Sequence, residues 1–483
     1  MELGPMHFLI RGTPMTSAEK APAGQSPKKK RRRWFGWLRR IIAATLLLLV
    51  VIAAFGIPQL LAIRKIHRLG GWVGVGTPAL PLPLPKPAKG KSPVGLWQLL
   101  GYYLRGSPEF SSGNSILMDL YGDVRSVGFS RAKARNFTDA DMWVFGRLSG
   151  LRRVWLDRTA ITGRGLDYLN SQSHLRMLSF NGTLIHDASL RTLHLENFSH
   201  LHFLDLDRTP ITGTGLAGRK TCPSLRVLLL NDTRLNDDGM ATLRRFTNLQ
   251  VLQLAHTDIT SSGVAELPAM AHLRALGLQY TGVGDRGLAG LARLKGLTGL
   301  YLAHTRITSG GLKALQPLAG NLMELSLNGC KINNQGLRYL LANFPKLKLL
   351  RVSSPLISDA GLAGPIAAKG LTSLDLSDAR VNDKALVRIS RLKHLESLHL
   401  NHTAVDDHGL SSLASLHDLV SLQLAWTNVK GPGLKSLSHL AALQSIYLAG
   451  DGIRRRPLPP GVIGGGTRVI LWPIKRIHTY NKW

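Results

Sequence analysis

Histidine, tyrosine and tryptophan recur at fixed intervals along the second half of the chain. His256, Tyr280 and His304 follow one another at 24-residue steps, and His402 and Trp426 repeat that step. Imidazole can bind a metal ion or carry a proton, and aromatic rings can stack on a ligand or on each other. Each of these uses needs the side chains on one surface, so the interval itself must first be explained.

The interval belongs to a repeated motif, L-x-x-L-x-L-x-x-T-x-I, followed by G-L-x-x-L. Its L-x-L core alternates with period two, which is typical of a strand with one buried face, and the G-L-x-x-L part suits a short helix. One copy buries too little apolar surface to be stable alone, so stacking predicts a parallel inner sheet with short helices outside. The thirteen copies begin at Leu151, Leu175, Leu201, Leu225, Leu249, Leu273, Leu297, Leu322, Leu347, Leu371, Leu395, Leu419 and Leu443.

Polar residues at fixed places in the repeat predict its turns. Threonine usually occupies position nine, where a small hydroxyl can satisfy buried backbone groups of the neighbouring coil. Cys330 falls at this position and is interpreted as a threonine substitute, and Cys222 is too distant to form a disulfide with it. The predicted helix N-caps are Thr162, Thr212, Asn236, Thr260, Thr308, Asn333, Ser358, Asn382 and Asp406.

The repeat resembles that of leucine-rich repeat proteins of the ribonuclease-inhibitor-like class, over residues 151–453. The resemblance implies an α/β fold, a leucine-rich repeat solenoid shaped like a horseshoe. The N-terminal layout followed by repeats also makes the chain similar to bacterial single-pass membrane-anchored leucine-rich repeat proteins. Substrate receptors of ubiquitin ligases carry similar repeats, but no F-box-like helical segment precedes the array here.

The N-terminal segment carries the signals of one transmembrane helix. Eight Lys and Arg residues lie within Lys28–Arg40, directly before the uncharged stretch Ile41–Ile63. A helix of that length reaches roughly 34 Å, enough to cross a bilayer core of about 30 Å. Only Arg64, Lys65 and Arg68 follow, so the positive-inside rule predicts a cytoplasmic N-terminus and extracytoplasmic repeats. A cleaved signal peptide is the alternative, but the run is long for one and lacks a small-residue cleavage site.

The remaining segments differ in composition. Alternating prolines in Thr77–Pro93 predict a polyproline II spacer. Val94–Leu104 predicts an amphipathic helix and Asp123–Ser130 a degenerate first strand, which would together cap the array. The predicted organisation is a basic cytoplasmic tail at 1–40, the span at 41–63, the spacer at 64–93, the N-terminal cap at 94–150, the repeats at 151–453 and a basic C-terminal tail at 454–483.

The net charge of +32 favours an acidic partner. The positive excess is densest at the two ends of the chain: residues 454–483 contain seven basic and no acidic side chains. Because the basic cluster Lys28–Arg40 adjoins an apolar span, anionic lipid explains it better than nucleic acid does. A specific nucleic-acid partner is not expected.

The sequence contains no recognisable catalytic constellation. G-x-G-x-x-G occurs at 213–218 and 282–287, but both copies lie in the turn-to-helix part of the repeat and lack the nucleotide-binding context. His256 and His304 are two repeats apart, about 10 Å, which is too far to share one metal ion directly. The chain is therefore expected not to be an enzyme and to need no cofactor or metal.

A ligand-binding surface is predicted on the concave face, where positions three, five and seven point away from the core. Aromatic, His and Arg side chains are enriched at recognition sites. The alternative is that these rings only stack on their neighbours. The candidate residues on the strands and their rim are Trp155, Gln253, His256, Tyr280, Tyr301, His304, Arg351, His399, His402, Gln423, Trp426 and Tyr447.

These observations predict a membrane-anchored protein that binds a protein or other macromolecule through this face. The alternative is an adhesin or a protein that binds a cell-envelope polysaccharide, since aromatic rings can stack on sugars and positive charge can face acidic glycans.

Overall fold

The computed structural model describes most of the repeat array and parts of the N-terminal region. The described residues are 42–47, 57–75, 124–129, 133–148, 150–218, 220–449 and 468–471. By their internal contacts, residues 59–483 form one unit and residues 1–58 another. The predicted spacer Thr77–Pro93 and the predicted helix Val94–Leu104 lie outside the described residues.

In the described residues of the larger unit, sixteen strands form one sheet in sequence order. The first pair is antiparallel and every later pair is parallel. The strands are β1 Gly71–Val75, β2 Val124–Phe129, β3 Arg153–Trp155, β4 Met177–Ser179, β5 Phe203–Asp205, β6 Val227–Leu229, β7 Val251–Gln253, β8 Ala275–Gly277, β9 Gly299–Tyr301, β10 Glu324–Ser326, β11 Leu349–Arg351, β12 Ser373–Asp375, β13 Ser397–His399, β14 Ser421–Gln423, β15 Ser445–Leu448 and β16 Arg468–Leu471.

The strands β3 to β15 fall on the L-x-L cores of the thirteen repeats. Within each strand the middle residue, such as Leu252 in β7, lies in the main hydrophobic core, as does the next leucine, Leu254. Neighbouring strands pair without offset, so that Leu228, Leu252 and Leu276 stand side by side. The predicted period-two phase is therefore confirmed.

The outer segments are shorter and more varied than the predicted row of helices. The α-helices are α1 Ile57–Arg68, α2 Asp187–Leu190, α3 Asp237–Met240, α4 Ser261–Ala265, α5 Asp285–Leu291, α6 Asn334–Asn343 and α7 Asp383–Ile389. The 3-10 segments are Ala134–Asn136, Asp139–Arg147, Leu166–Leu169, Leu195–Asn197, Thr214–Leu216, Ala241–Arg245, Gly311–Leu318, Asp359–Leu362, Gly409–Ser415 and Pro432–Leu437. Segments this short gain little from α-helical cooperativity, so many of them adopt the tighter 3-10 turn.

Some of the predicted N-caps act differently. The side chains of Asn236, Thr260, Asn333 and Asn382 accept backbone N–H groups as N-caps do. The hydroxyl of Thr162 instead donates to the carboxylate of Asp139 at 2.6 Å. The Thr260 hydroxyl also donates to a carboxylate of the preceding coil, that of Asp237, and it still accepts from the Ser262 amide. The bond to a carboxylate therefore does not by itself prevent capping.

A carboxylate or other acceptor from one repeat meets the backbone of the next repeat. The carboxylate of Asp237 accepts from the Thr260 amide at 2.8 Å, and that of Asp285 accepts from the Thr308 amide at 2.7 Å. We call this series the acceptor ladder. Its members are Asp139, Asp187, Asp237, Ser261, Asp285, Ser309, Asn334, Asp359, Asp383 and Asp407.

Position nine is structural, as predicted, but its partner differs. The Thr257 hydroxyl donates to the carbonyl of Leu254, three residues earlier in the same coil, at 2.7 Å. Cys330 keeps the polar contact but reaches the neighbouring coil, because its thiol lies 3.1 Å from the Leu302 carbonyl oxygen. Both cysteines are free and buried.

The two ends of the sheet include segments that were predicted to lie outside the array. Strand β1 falls within the predicted spacer and pairs with β2, the strand predicted at Asp123–Ser130. Strand β16 falls within the predicted C-terminal tail and pairs with β15.

The predicted span 41–63 is described only in part. Residues 42–47 are helical, and α1 continues beyond the predicted end to Arg68. Within the described ranges, no helix combines the length and the apolar character that crossing a bilayer requires.

Candidate ligand-binding face

The sheet separates the side chains of each repeat onto two sides. Leu252 belongs to the main core, whereas its neighbour Val251 belongs to a second, separate hydrophobic cluster. Successive residues of a strand point to opposite faces, so positions three and five of each repeat lie on the face away from the main core. We call this side the sheet face.

The first half of the sheet face is filled by apolar side chains. Aromatic and aliphatic residues on β4 to β9 pack against one another here, and Trp155 on β3 packs against them half-buried. We call this group the apolar cluster. Its buried members are Met177, Phe203, Val227, Leu229, Val251, Ala275 and Tyr301.

Three predicted ligand residues lie in or beside the apolar cluster. Gln253 is 4% exposed and donates its amide to the Leu252 carbonyl at 3.2 Å. Tyr301 is 6% exposed, and its hydroxyl donates to the Glu324 carboxylate. The rings of Trp155 and Trp72 of β1 are tilted by 42°, with centroids 5.4 Å apart. Gln253 and Tyr301 therefore offer a ligand little free surface, whereas Trp155 is half-exposed.

Two aspartates lie beside the apolar cluster at the end of β5. Asp205 is buried, and Asp207 is half-buried with its carboxylate accepting from the Asn231 amide at 2.6 Å. Burial, followed by the charge of Asp157, raises the pKa of Asp205 to about 6. Burial and repulsion from Asp205 raise the pKa of Asp207 to about 8. The two carboxyls therefore do not both ionise easily near neutral pH.

The second half of the sheet face is polar and partly open. Position five of β11 to β15 carries a row of five side chains, each standing beside the next in the parallel register. All except the buried Asp375 are half-exposed. We call this set the polar row: it comprises Arg351, Asp375, His399, Gln423 and Tyr447.

Serine occupies position three beside the polar row on four adjacent strands. Ser373, Ser397, Ser421 and Ser445 pair in direct register and are all half-exposed. Small side chains at these places leave the neighbouring longer ones standing above them. Repeated S-L pairs in the sequence are the signal from which this feature could be predicted.

Hydrogen bonds hold parts of the polar row in position. Ser397 and the Nε2 atom of His399 are 3.0 Å apart, and Asn401 donates to the amide oxygen of Gln423 at 2.8 Å. The pKa of His399 is lowered, mainly by burial and further by the charge of Arg351, although Asp375 opposes the shift. His399 is therefore neutral near pH 7 and can both donate and accept a hydrogen bond.

Position eight forms a rim where each strand ends, and its backbone is left-handed. His256, Tyr280, His304, His402 and Trp426 have φ between 55° and 60°. Bulky side chains rarely adopt this conformation, which costs roughly 1–2 kcal/mol for a residue other than glycine. Backbone preference alone would select Gly, Asn or Asp at these places. Interactions of the rim side chains must therefore offset the conformational cost.

The rim rings stack in two groups. The centroids of His256 and Tyr280 are 4.1 Å apart, and those of Tyr280 and His304 are 4.3 Å apart, with nearly parallel planes. The rings of His402 and Trp426 are also nearly parallel but 5.9 Å apart. The first group has the geometry of the stacking alternative, because the Tyr280 ring lies between two imidazoles, and Tyr280 is still 39% exposed.

The twelve candidate residues therefore fall into three places. Trp155, Gln253 and Tyr301 join or adjoin the apolar cluster, and His256, Tyr280 and His304 form the middle rim stack. Arg351, His399, Gln423 and Tyr447 lie in the polar row, with His402 and Trp426 on its rim. Ligand contact by these residues stays a prediction. In the described part of the chain, no group of three or more His, Cys, Asp and Glu side chains could hold a metal ion.

Comparisons with known proteins identify the repeat. A family model described as "Leucine Rich repeat" matches residues 247–267, 321–341 and 391–414. No curated protein sequence matches the chain.

Solved structures with a similar arrangement are remote in sequence. An internalin from Listeria monocytogenes is 21% identical over 63% of this chain and 81% of its own length, with a TM-score of 0.47. The ectodomain of the plant membrane receptor kinase GASSHO1/SCHENGEN3 from Arabidopsis thaliana, in complex with CASPARIAN STRIP INTEGRITY FACTOR 2, is 21% identical over 64% of this chain and 37% of its own, with a TM-score of 0.40. The plant peptide hormone receptor RGFR1 in complex with RGF2 is 15% identical over 68% of this chain and 69% of its own, with a TM-score of 0.37.

Thirteen strands of one parallel sheet carry the leucine motif in register, and three segments among them match the family model directly. The repeats of this chain are leucine-rich repeats.

Proposed function

We propose that the chain is a non-enzymatic binding protein whose ligand is a segment of another protein held on the polar row. The observation that carries this proposal is the contrast in exposure on one sheet face: Gln253 and Tyr301 are buried in the first half, whereas Arg351, His399 and Gln423 are half-exposed in the second. A ligand needs accessible polar groups to orient it, and four of the five side chains of the polar row are half-exposed.

The dimensions of the polar row suit an extended peptide. Five parallel strands spaced by about 4.8 Å give a width of roughly 19 Å, the length of about six extended residues. The small serines beside the row leave space on the sheet face, and their hydroxyls can hydrogen-bond to peptide groups. Arg351 at one end supplies a charge for an acidic side chain, and Tyr447 at the other supplies an aromatic surface.

Trp426 on the rim is the expected anchor of the complex. It is 38% exposed, about as much as Tyr280 at 39%, but its ring faces one imidazole, that of His402 at 5.9 Å, whereas Tyr280 lies between two. Tryptophan is among the residues that contribute most to binding free energy when it is desolvated by a partner. Its exposed ring surface also favours the second candidate function, in which a cell-envelope polysaccharide stacks on the ring.

The location of the protein is part of the proposal. The charge asymmetry around residues 41–63 supports a single-pass anchor with the N-terminus in the cytoplasm and the repeats outside. A reporter active only outside the cytoplasm, fused after Trp483, should then be active. Activity of a cytoplasm-only reporter at the same place would contradict this orientation.

The test of binding starts from crosslinking and pull-down with the full-length chain in native membranes, alongside a glycan array. We expect one defined protein to be recovered. Replacing Trp426 and Tyr447 together by Ala should weaken its binding by more than about 2 kcal/mol. The matched control replaces Tyr280 and His304 by Ala in the middle stack and should weaken binding far less.

The outcomes separate the candidate functions. Recovery of a protein whose affinity falls only in the Trp426 and Tyr447 variant supports the proposal. Glycan binding that is weakened in the same variant would identify the ligand of this site as a polysaccharide. Native affinity in both variants would remove the sheet face as the site and direct attention to the basic segment from Arg454.

A further inference from the structure

A surface cavity of about 350 Å3 lies away from the sheet face, at repeats nine and ten. Its lining residues come from the connections that lead from the outer segments back to β12 and β13. These connections lie at the edge where the parallel strands begin, opposite the rim where they end. The cavity is lined by Gly364, Pro365, Ile366, Lys369, Arg391, Lys393 and His394.

The cavity arises from an irregular repeat. The outer segment of repeat nine is a single turn, Asp359–Leu362, between the longer helices α6 and α7. The sequence explains the early end, because the residue before a proline disfavours helical backbone and Gly364 precedes Pro365. A shortened segment between two longer ones leaves a recess at this position.

The formal charges that line the recess are of one sign. Three of its seven lining residues are Lys or Arg, one is His, and none is acidic. His394 is 3.3 Å from the Asp418 carboxylate, and Lys393 donates to the hydroxyl of Ser415 at 2.9 Å. Across the described ranges of the chain, no ion pair involves Lys369, Arg391 or Lys393. Their positive charges are therefore not neutralised within the fold as described.

The other wall of the recess is apolar. Ile366 is half-buried and packs against the main core, with Pro365 exposed beside it. An arginine with two nearby lysines fits a phosphate group, because guanidinium binds two phosphate oxygens at once and ammonium adds a point charge. The apolar wall can meanwhile cover a compact carbon body attached to the phosphate.

We propose that this recess is a binding site for a phosphate monoester with a small apolar or ring-shaped body. Lys369, Arg391 and Lys393 hold the phosphate oxygens, and Ile366 and Pro365 contact the body. The phosphate can belong to a soluble metabolite or to the headgroup of a lipid, since the chemistry of recognition is the same. The site is independent of the polar row, because the two lie on different sides of the repeats.

The test is calorimetric titration of the full-length chain with phenyl phosphate, inorganic phosphate and phenol. We expect phenyl phosphate to bind more tightly than inorganic phosphate, and phenol not to bind. Changing Lys369 and Arg391 together to Gln should weaken phenyl phosphate binding at least about ten-fold, since each removes a charge-assisted contact. Arg391→Lys should give a smaller loss, because the charge remains but the paired contact does not.

The matched control changes Lys313 and Lys331 to Gln, which removes the same charge from two exposed positions elsewhere. Its affinity should stay within about two-fold of the parent chain. An equal loss in the control would mean that general positive charge attracts the phosphate, which would overturn the site. Absence of phenyl phosphate binding to the parent chain would also overturn it.

Sedimentation with vesicles separates the two sources of the phosphate. Vesicles of phosphatidylcholine with added phosphatidic acid should bind the parent chain more strongly than the Lys369 and Arg391 variant if a headgroup enters the recess. Phenyl phosphate binding without this difference assigns the site to a soluble phosphate ester. Vesicle binding that is equal in the parent chain and both variants, without phenyl phosphate binding, contradicts the proposal.

Discussion

The two halves of the sheet face share one backbone and one leucine pattern, yet they present opposite surfaces. In the first half, Phe203 and Val251 are buried in the apolar cluster at position three. In the second half, Ser397 and Ser421 hold the same position and are half-exposed. The leucines on the other side of the strands, such as Leu252 and Leu398, are fully buried in both halves.

This contrast separates what the solenoid needs from what it allows. The core leucines recur because each repeat must bury them against its neighbours. Positions three and five face away from that core, so the fold accepts Phe, Ser, Asp or Tyr there. Differences at these positions therefore carry information about packing or binding that the repeat motif itself does not contain.

The sharpest test of the contrast replaces one residue in each half at position three. Phe203→Ala should lower the free energy of unfolding by about 3–5 kcal/mol, because it empties a buried site in the apolar cluster. Ser421→Ala should change it by about 0.5 kcal/mol or less. Urea unfolding followed by circular dichroism measures both, and equal losses would show that the halves do not differ as described.

The outer segments of the repeats should not differ between the two halves of the array. A Cβ at Gly239 would lie 2.2 Å from the Thr212 carbonyl oxygen, and one at Gly433 would lie 2.2 Å from the Asp407 carbonyl oxygen. Each change to Ala should therefore cost about 2–3 kcal/mol through backbone displacement. Gly320→Ala is the control, because nothing lies within 4 Å of its added carbon. Thermal unfolding that distinguished Gly239→Ala from Gly433→Ala by several kcal/mol would extend the contrast to the outer side.

Removing a ring from each of the two rim groups should change the free energy of unfolding by different amounts. Tyr280→Ala removes a ring stacked on both faces and should cost about 0.5–1.5 kcal/mol. Trp426→Ala loses only one ring contact, to His402 at 5.9 Å, and should cost about 0.5 kcal/mol or less. Urea midpoints in the reverse order would mean that Trp426 stabilises the fold and is not held free for a partner.

The two halves should also show a pH dependence of opposite sign. Asp205 and Asp207 have raised pKa values, so they stabilise the fold at low pH, and this stability is lost as pH rises through about 6 to 8. His399 has a lowered pKa, so its contribution is present above its ordinary value of about 6.5 and is lost as pH falls.

Replacement variants make this difference measurable. Changing Asp205 and Asp207 to Asn should improve stability relative to the parent chain more at pH 8 than at pH 5. His399→Gln should improve it more at pH 5 than at pH 8. Urea unfolding at both values checks the signs, and slopes of the same sign in the two variants would be inconsistent with these assignments.

Much of the scaffold could be predicted from the sequence because its determinants are local and repeated. The buried phase of Leu252 and Leu254 follows from alternation alone, and thirteen copies repeat the signal. The role of Thr257 as a turn residue was predicted as well, although its hydroxyl bonds within its own coil. The spacing of the motif alone could not show whether the hydroxyl bonds to a carbonyl of its own coil or of the neighbouring coil.

The rest depends on contacts that no local pattern records. The motif does not show that Gly71–Val75 becomes a strand, because its partner is some fifty residues later. Likewise, Gln253 and Tyr301 are buried beside residues of other strands: Gln253 pairs in register with Leu229 and Gly277, and Gly277 pairs with Tyr301. Exposure on the sheet face is a property of several repeats together, and the candidate ligand residues could not be sorted before the repeats were stacked.

The acceptor ladder has a direction, and this direction matches the order in which a ribosome makes the chain. Each acceptor, such as Asp285, bonds to an amide that is synthesised later, that of Thr308. A repeat that emerges from the ribosome therefore finds its partner already in place on the repeat before it. Because stability in such arrays comes from neighbour contacts, the solenoid can be completed one repeat at a time during translation, without waiting for its C-terminus.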